Sequence, residues 1–383
     1  MAPPRNSSNF RILVAPDKFK GSLTAAEAVE AICLGLERAL PQACFHKLPL
    51  ADGGEGTAAL FVRSFGGQMI DCETTDPLGR PITAKYGWTP GLRQAVIEMS
   101  AASGLWRLAE NERDPLRATT FGTGTLLIDA ARRDARKIIV GLGGSATNDA
   151  GAGVASALGV RFLDERSAPL TPVPRNFPRI VRIEKSPRTF APEIVAVSDV
   201  RIPLLGPNGC SRAYGPQKGA TPEMVETLER DLTRFADIVA RDLHCDFRAT
   251  PGAGAAGGLG FGLLSFCQAT IRSGFETFAE MMELDRLIRD VDLVVTGEGL
   301  LDPQTLDGKG PGGIAQRAKR AGKPVIAFAG GIRGEHQLEE HFDAYFALAN
   351  RPMTLEESMR DARLLLVRAA ERAGRVIALS RNS

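Results

Sequence analysis

A chain of 383 residues exceeds what one hydrophobic core ordinarily serves, so two domains are expected. Its 47 lysines and arginines stand against 45 acidic residues. The resulting net charge of +2 gives no electrostatic ground for nucleic acid or an anionic membrane as partner, and a small molecule is the expected ligand.

Six cysteines without CxxC spacing read as reduced thiols of a cytoplasmic protein. Four histidines, none at ligand spacing, argue against the usual zinc sites, and the 6% aromatic residues offer no platform for stacking bases. The first residues lack the apolar run of a signal peptide, and no later run is long enough to span a bilayer.

In chain order, residues 10–15 read as a buried strand, and Thr24 with Glu27 forms a capping-box pattern that opens an alanine-rich helix running to about Leu40. Further strands are predicted near 95–99, 137–140, 194–197, 293–295 and 325–328, with helical patterns between most of them. That alternation predicts an α/β fold with mainly parallel sheets covered by helices. Residues 164–192, rich in proline and arginine, read as an exposed connection with one strand at 180–183, and 355–379 as an amphipathic helix with an arginine-rich outer face.

Chemistry concentrates where the predicted strands stop. After Ile138-Ile139-Val140 comes Gly141-Leu142-Gly143-Gly144-Ser145-Ala146-Thr147-Asn148-Asp149. Side-chain-free residues there let backbone N–H groups turn toward an anion, and Ser145 or Thr147 is placed to cap a helix beginning near Asn148. The competing reading is a tight strand-to-helix turn with glycines for packing.

Asp17 to Ser22, 51–57 (with Asp52 and Glu55), Ser198-Asp199, Lys218, and Glu298 to Lys309 (with Asp302) occupy comparable positions. In α/β proteins ligands bind outside the carboxyl ends of parallel strands. A GxGxxG pattern lies within 251–260, but it follows no convincing strand. Gly310 stands where a P-loop needs Ser or Thr after Lys309, so neither a dinucleotide site nor a Walker-type ATPase is supported. Several carboxylates, a few lysines and glycine-lined loops, without a histidine or cysteine constellation, fit phosphoryl transfer most economically.

Read together, these segments resemble the bacterial class I glycerate kinases over residues 12–330. The matching runs are APDKFKGSL at 15–23, ADGGEGT at 51–57, DPLGRPI at 76–82, IEMSAASGL at 97–105 and GLGGSATNDAGAG at 141–153. GPQKGA at 215–220, PGAGAAGGLG at 251–260 and TGEGLLDPQTLDGK at 296–309 complete the series in family order. The resemblance implies phosphorylation of D-glycerate by ATP with Mg2+, usually at the 2-hydroxyl.

It also implies two α/β domains with the site in the cleft between them, one domain discontinuous (1–80 plus 291–383) and the other inserted (81–290). Two departures stand out. Lys18 replaces a small residue, and Arg201-Ile202 replaces an asparagine-bearing segment.

On this reading Asp199 faces the attacking hydroxyl, with Lys20 and Asp17 as further catalytic residues. Asp52, Glu55, Arg201 and Asn148 hold the substrate. Gly143, Gly144, Ser145, Lys218 and Lys309 hold the ATP phosphates, while Glu298 and Asp302 serve the metal. A homodimer is compatible with it. The alternatives are a kinase of another small hydroxy acid, or a two-lobed anion-binding protein without catalysis.

Overall fold

Ile12, Leu13 and Val14 are wholly buried, the pattern of a strand covered on both faces. Strands of this kind organise the computed structural model, which describes residues 10–50, 56–186, 190–306 and 310–381. In chain order they are β1 Arg11–Val14, β2 Cys44–Lys47, β3 Gln68–Thr75, β4 Pro81–Thr89, β5 Gln94–Glu98, β6 Lys137–Gly141 and β7 Arg161–Leu163. There follow β8 Arg182–Glu184, β9 Glu193–Val197, β10 Thr270–Arg272, β11 Leu293–Leu301, β12 Val325–Ile332 and β13 Ala344–Ala347. The chain divides into two compact units, Met1–Ala51 with Phe278–Ser383, and Asp52–Thr277.

The first unit carries a parallel sheet in the order β13-β12-β11-β1-β2. Helix Ala25–Ala39 starts with the expected capping box: Thr24 Oγ1 accepts from the Glu27 amide, and the Glu27 carboxylate accepts from the Thr24 amide. Its Ile32 and Leu36 share one core with Leu366 and Ala370 of the C-terminal helix and with Ile12 and Val14 of β1. The C-terminal segment is not one helix but two, Leu355–Arg360 and Ala362–Arg381. Thr354 caps the first with a capping box of its own.

The second unit has a sheet in the order β10-β9-β6-β5-β4-β3, parallel from β10 to β5 and antiparallel from β5 to β3. β3 and β4 pair from Gln68↔Trp88 to Thr75↔Pro81, so a boundary near Arg80 would cut a hairpin. The DPLGR run is that hairpin's turn: Asp76 Oδ1 accepts from the Leu78 and Arg80 amides, and Asp76 Oδ2 meets the Arg80 guanidinium at 2.5 Å.

The segment expected to be an exposed connection is partly core instead. Phe177 and Ile180 are fully buried, and Phe177 stacks on Phe235 at 4.3 Å between ring centroids. Its proline-rich sequence hid this because a 3-10 helix, Pro174–Arg179, presents its apolar residues without the period of a helix or strand. The strand there is Arg182–Glu184, paired antiparallel with β7. No helix among the described residues is long and apolar enough to cross a membrane, and none of the six cysteines forms a disulfide.

Candidate functional site

In the second unit the parallel strands end in one row. Glu98 pairs with Gly141, Gly141 with Val197, and Val197 with Arg272, so the loops after β5, β6, β9 and β10 all leave the same edge of the sheet. This is the edge at which α/β sheets bind ligands.

The loop after β6 is held by its neighbours. The Gly144 carbonyl accepts from the Leu105 amide, and the Ala146 amide donates to the Ser103 carbonyl. Gly143 and Gly144 are exposed and Ser145 is nearly buried. Gly144 sits at φ +70°, a conformation that costs a side-chain-bearing residue and suits glycine.

Lys218 lies beneath this loop at 2% exposure. Its ammonium donates to Ser145 Oγ at 2.8 Å and to the Thr147 carbonyl at 2.7 Å. Burial pushes its pKa down to about 8, against the opposing pull of Cys210 and Asp149. Ser145 and Lys218, each expected at the ATP phosphates, are therefore in direct contact with one another.

Asn148 is fully buried. Its Nδ2 donates to Ser211 Oγ at 3.0 Å, while its Oδ1 has no hydrogen-bond partner among the described residues.

No helix begins at Asn148; the helix is Ala152–Ala157, with Gly151 as N-cap and no side-chain cap from Ser145 or Thr147. Asp149 does that work from inside. Its carboxylate accepts from the Gly151 and Gly153 amides and from both the amide and the hydroxyl of Thr120. Burial pushes the Asp149 carboxyl above its usual range, and those four hydrogen bonds pull it back.

Behind the loop, Ala256, Gly257 and Gly258 are three consecutive residues at positive φ. A Cβ on Gly257 would collide with the Thr147 carbonyl oxygen, which explains the glycine-dense run at 251–260 as a close approach of two backbones.

Asp199 follows β9, and its Oδ1 accepts from Ser273 Oγ at 2.8 Å and from the Gly274 amide at 3.1 Å. The half-buried carboxylate is thus oriented by the start of helix Gly274–Met281. Arg201, two residues on, is exposed. Residues outside the expected set also build this edge. Glu98 accepts from the Ala58 amide at the start of helix Thr57–Phe65, and Ser211 and Ser273 hold Asn148 and Asp199. Glu98 sits in the IEMSAASGL run; Ser211 and Ser273 carry no signal of their own.

In the first unit, strand order reverses between β1 and β11, a topological switch point. The Asp17 amide donates to the Gly297 carbonyl at 2.8 Å, which sets Asp17 beside Glu298. Glu298 Oε1 accepts from Thr305 Oγ1 at 2.7 Å, and the Thr305 amide donates to Asp302 Oδ1 at 3.3 Å. Burial pushes Glu298 up to about 7; the negative charges of Asp17 and Asp302 add to this, and the Thr305 hydrogen bond opposes it. Lys20 is exposed nearby in sequence.

Among the described residues no three His, Cys, Asp or Glu side chains converge closely enough to hold a metal ion. Asp52, Glu55 and Lys309 lie outside the described residues.

Parallel sheets ending in a lysine-backed glycine loop and in a carboxylate-bearing switch point define the class, an α/β enzyme acting on a small anionic ligand. Residues 12–378 match the model of the glycerate kinase family. The chain is 43% identical to a glycerate kinase of Halalkalibacterium halodurans, over 94% of this chain and 96% of that one. It is 38% identical to a glycerate 2-kinase of Escherichia coli K12, over 97% and 98%. A crystal structure from Salmonella typhimurium LT2, of a protein named provisionally as glycerate kinase 2, superposes with a TM-score of 0.87 at 41% identity, covering 98% of this chain and all of that one. The chain belongs to the glycerate kinase family and is a kinase.

Proposed function

We propose that this enzyme transfers the γ-phosphoryl group of ATP to a hydroxyl of D-glycerate, giving 2-phosphoglycerate, with a magnesium ion as cofactor. The observation that carries the reading is the loop after β6, where two exposed glycines and Ser145 rest on a buried ammonium. Backbone N–H groups in such a bend suit phosphate oxygens. The family match and the Escherichia coli relative's name support glycerate as substrate and the 2-hydroxyl as acceptor.

In the reaction the substrate hydroxyl oxygen forms a bond to the γ-phosphorus as the bridging oxygen to the β-phosphate leaves. The hydroxyl proton passes to an acidic residue late in the step. Asp199 is assigned that part, because Ser273 and Gly274 hold its carboxylate in one orientation at the strand edge. Lys20 and Arg201, both exposed cations, are assigned to the glycerate carboxylate.

Glu298 and Asp302, with Asp17 beside them, would hold the magnesium. A carboxyl held up to about 7 by burial and by neighbouring acids suits a site that is completed by a divalent cation. Magnesium commonly takes only one or two protein carboxylates and completes its shell with phosphate oxygens and water, so a closed protein cage is not required. When bound, it would neutralise charge on the transferred group.

Coupled measurement of ADP release with D-glycerate and magnesium, followed by phosphorus NMR of the product, tests the reading. Turnover yielding the 2-phosphate is expected. Absence of turnover with glycerate, but turnover with another member of a hydroxy-acid panel, would reassign the substrate.

A further inference from the structure

Lys218 is assigned to the phosphates on sequence grounds, yet it is among the most deeply buried large side chains of the second unit. Both of its hydrogen bonds stay inside the protein, one to a hydroxyl and one to a main-chain carbonyl of the same loop. An ammonium has three donors and no acceptor. While it donates to Ser145 Oγ, the Ser145 hydroxyl cannot return its own hydrogen to the lysine, and that hydrogen is directed elsewhere. The loop side of Ser145 continues into the exposed Gly143 and Gly144.

We propose that Lys218 is a positioning residue: from beneath the loop, its ammonium fixes Ser145 as a hydrogen-bond donor toward a nucleotide phosphate and locks the 145–147 backbone, without touching the nucleotide.

The claim rests on the proposed kinase reaction and adds to it the part played by a residue the ligand does not reach. Asp149 completes the device. It pins the other end of the same loop through the Gly151 and Gly153 amides, so residues 145–149 are held between a buried cation and a buried carboxyl. Loss of the lysine's proton would reverse the hydrogen bond. A neutral amine accepts, the Ser145 hydroxyl turns to donate to Nζ, and the phosphate loses its donor.

Titration of this lysine falls near pH 8. The groups facing it are Cys210, on helix Cys210–Tyr214, pushed up to about 11 and so a thiol at that pH, the Asp149 carboxyl, which burial pushes above its usual range, and Arg113, which lies against Gly219.

Folding responds with the opposite sign. A lysine whose pKa is lowered in the folded state binds fewer protons there than in the unfolded chain between about 8 and its ordinary value of 10.5, so stability rises with pH through that window. Affinity for ATP should fall over the same window. A purely structural lysine would change stability alone.

The test is steady-state kinetics and thermal unfolding of the full-length enzyme, Lys218→Met, Ser145→Ala and the double variant, with MgATP varied from pH 6.5 to about 9.5. Each single variant should raise KM for ATP about tenfold at pH 7 with a smaller change in kcat, and the double variant should be no worse than the poorer single. The native enzyme should show an alkaline rise in KM that vanishes in Ser145→Ala, an outcome readable even if Lys218→Met fails to fold. Multiplying losses in the double variant, or an alkaline limb that persists in Ser145→Ala, would overturn the proposal while leaving the kinase reaction standing. A native enzyme without turnover on any hydroxy acid, and without ATP binding by calorimetry at any pH, would remove the reaction and the proposal together.

Discussion

The edges at which the parallel strands of the two sheets end solve opposite electrostatic problems. In the second unit a cation is buried among oxygens that accept from it, and burial alone moves Lys218 down to about 8. In the first unit a carboxyl is buried beside other carboxyls, and burial and like charge together move Glu298 up to about 7. Both groups end close to neutrality, but only the second arrangement is relieved by an added cation. One edge is balanced within the fold, whereas the other would be balanced by a bound cation.

The largest expected effect tests the edge balanced within the fold. Asp199→Asn keeps the hydrogen bonds that an amide oxygen can accept from Ser273 and Gly274 but removes the acid, so kcat should fall by a factor on the order of hundreds with little change in melting temperature. Near-normal turnover would end the assignment of Asp199.

Next comes Gly257→Ala, which drives a methyl group into the Thr147 carbonyl beneath the same loop. It should cost about 3 kcal/mol or more in urea unfolding and weaken ATP binding with it. An unchanged midpoint would show that the two backbones can part without consequence.

For the other edge, Glu298→Gln removes the group that is costly to ionise. Glu298 binds more protons folded than unfolded between its ordinary value of 4.5 and about 7, so metal-free stability should fall as pH rises through that window and stay low above it. Glu298→Gln should abolish this slope and stabilise the metal-free protein by about 1–2 kcal/mol at pH 8 while lowering activity. A slope that survives the substitution would place its origin in other groups.

The smallest effect is expected from Arg201→Met. An exposed cation on glycerate's carboxylate is worth about 1 kcal/mol, so KM for glycerate should rise several-fold with kcat preserved.

The strand ends and their loops were legible before any coordinates, because a strand buried on both faces is a short apolar run and a ligand loop is its small, polar continuation. β1, β6, β9, β11 and β12 overlap the predicted runs, and the capping box at Thr24 forms as read. Ser145 and Lys218, 73 positions apart, share one expected role and are in contact. What could not be read was depth. Lys218 and Asn148 look like surface polar residues in a glycine-rich neighbourhood, and both are buried. The 164–192 segment looked solvent-exposed because prolines mask periodicity, although Phe177 and Ile180 lie in the core.

Composition, periodicity and motif order alone determined the α/β class and the family, because these depend on residue type and local spacing. The tertiary structure alone decided that Asp149 rather than a hydroxyl organises the helix after the glycine loop, that Asp199 is held by Ser273, and that Lys218 lies buried beneath the loop. Whether a polar side chain meets solvent or another chain segment is settled by distant residues packing over it, and no local pattern records them.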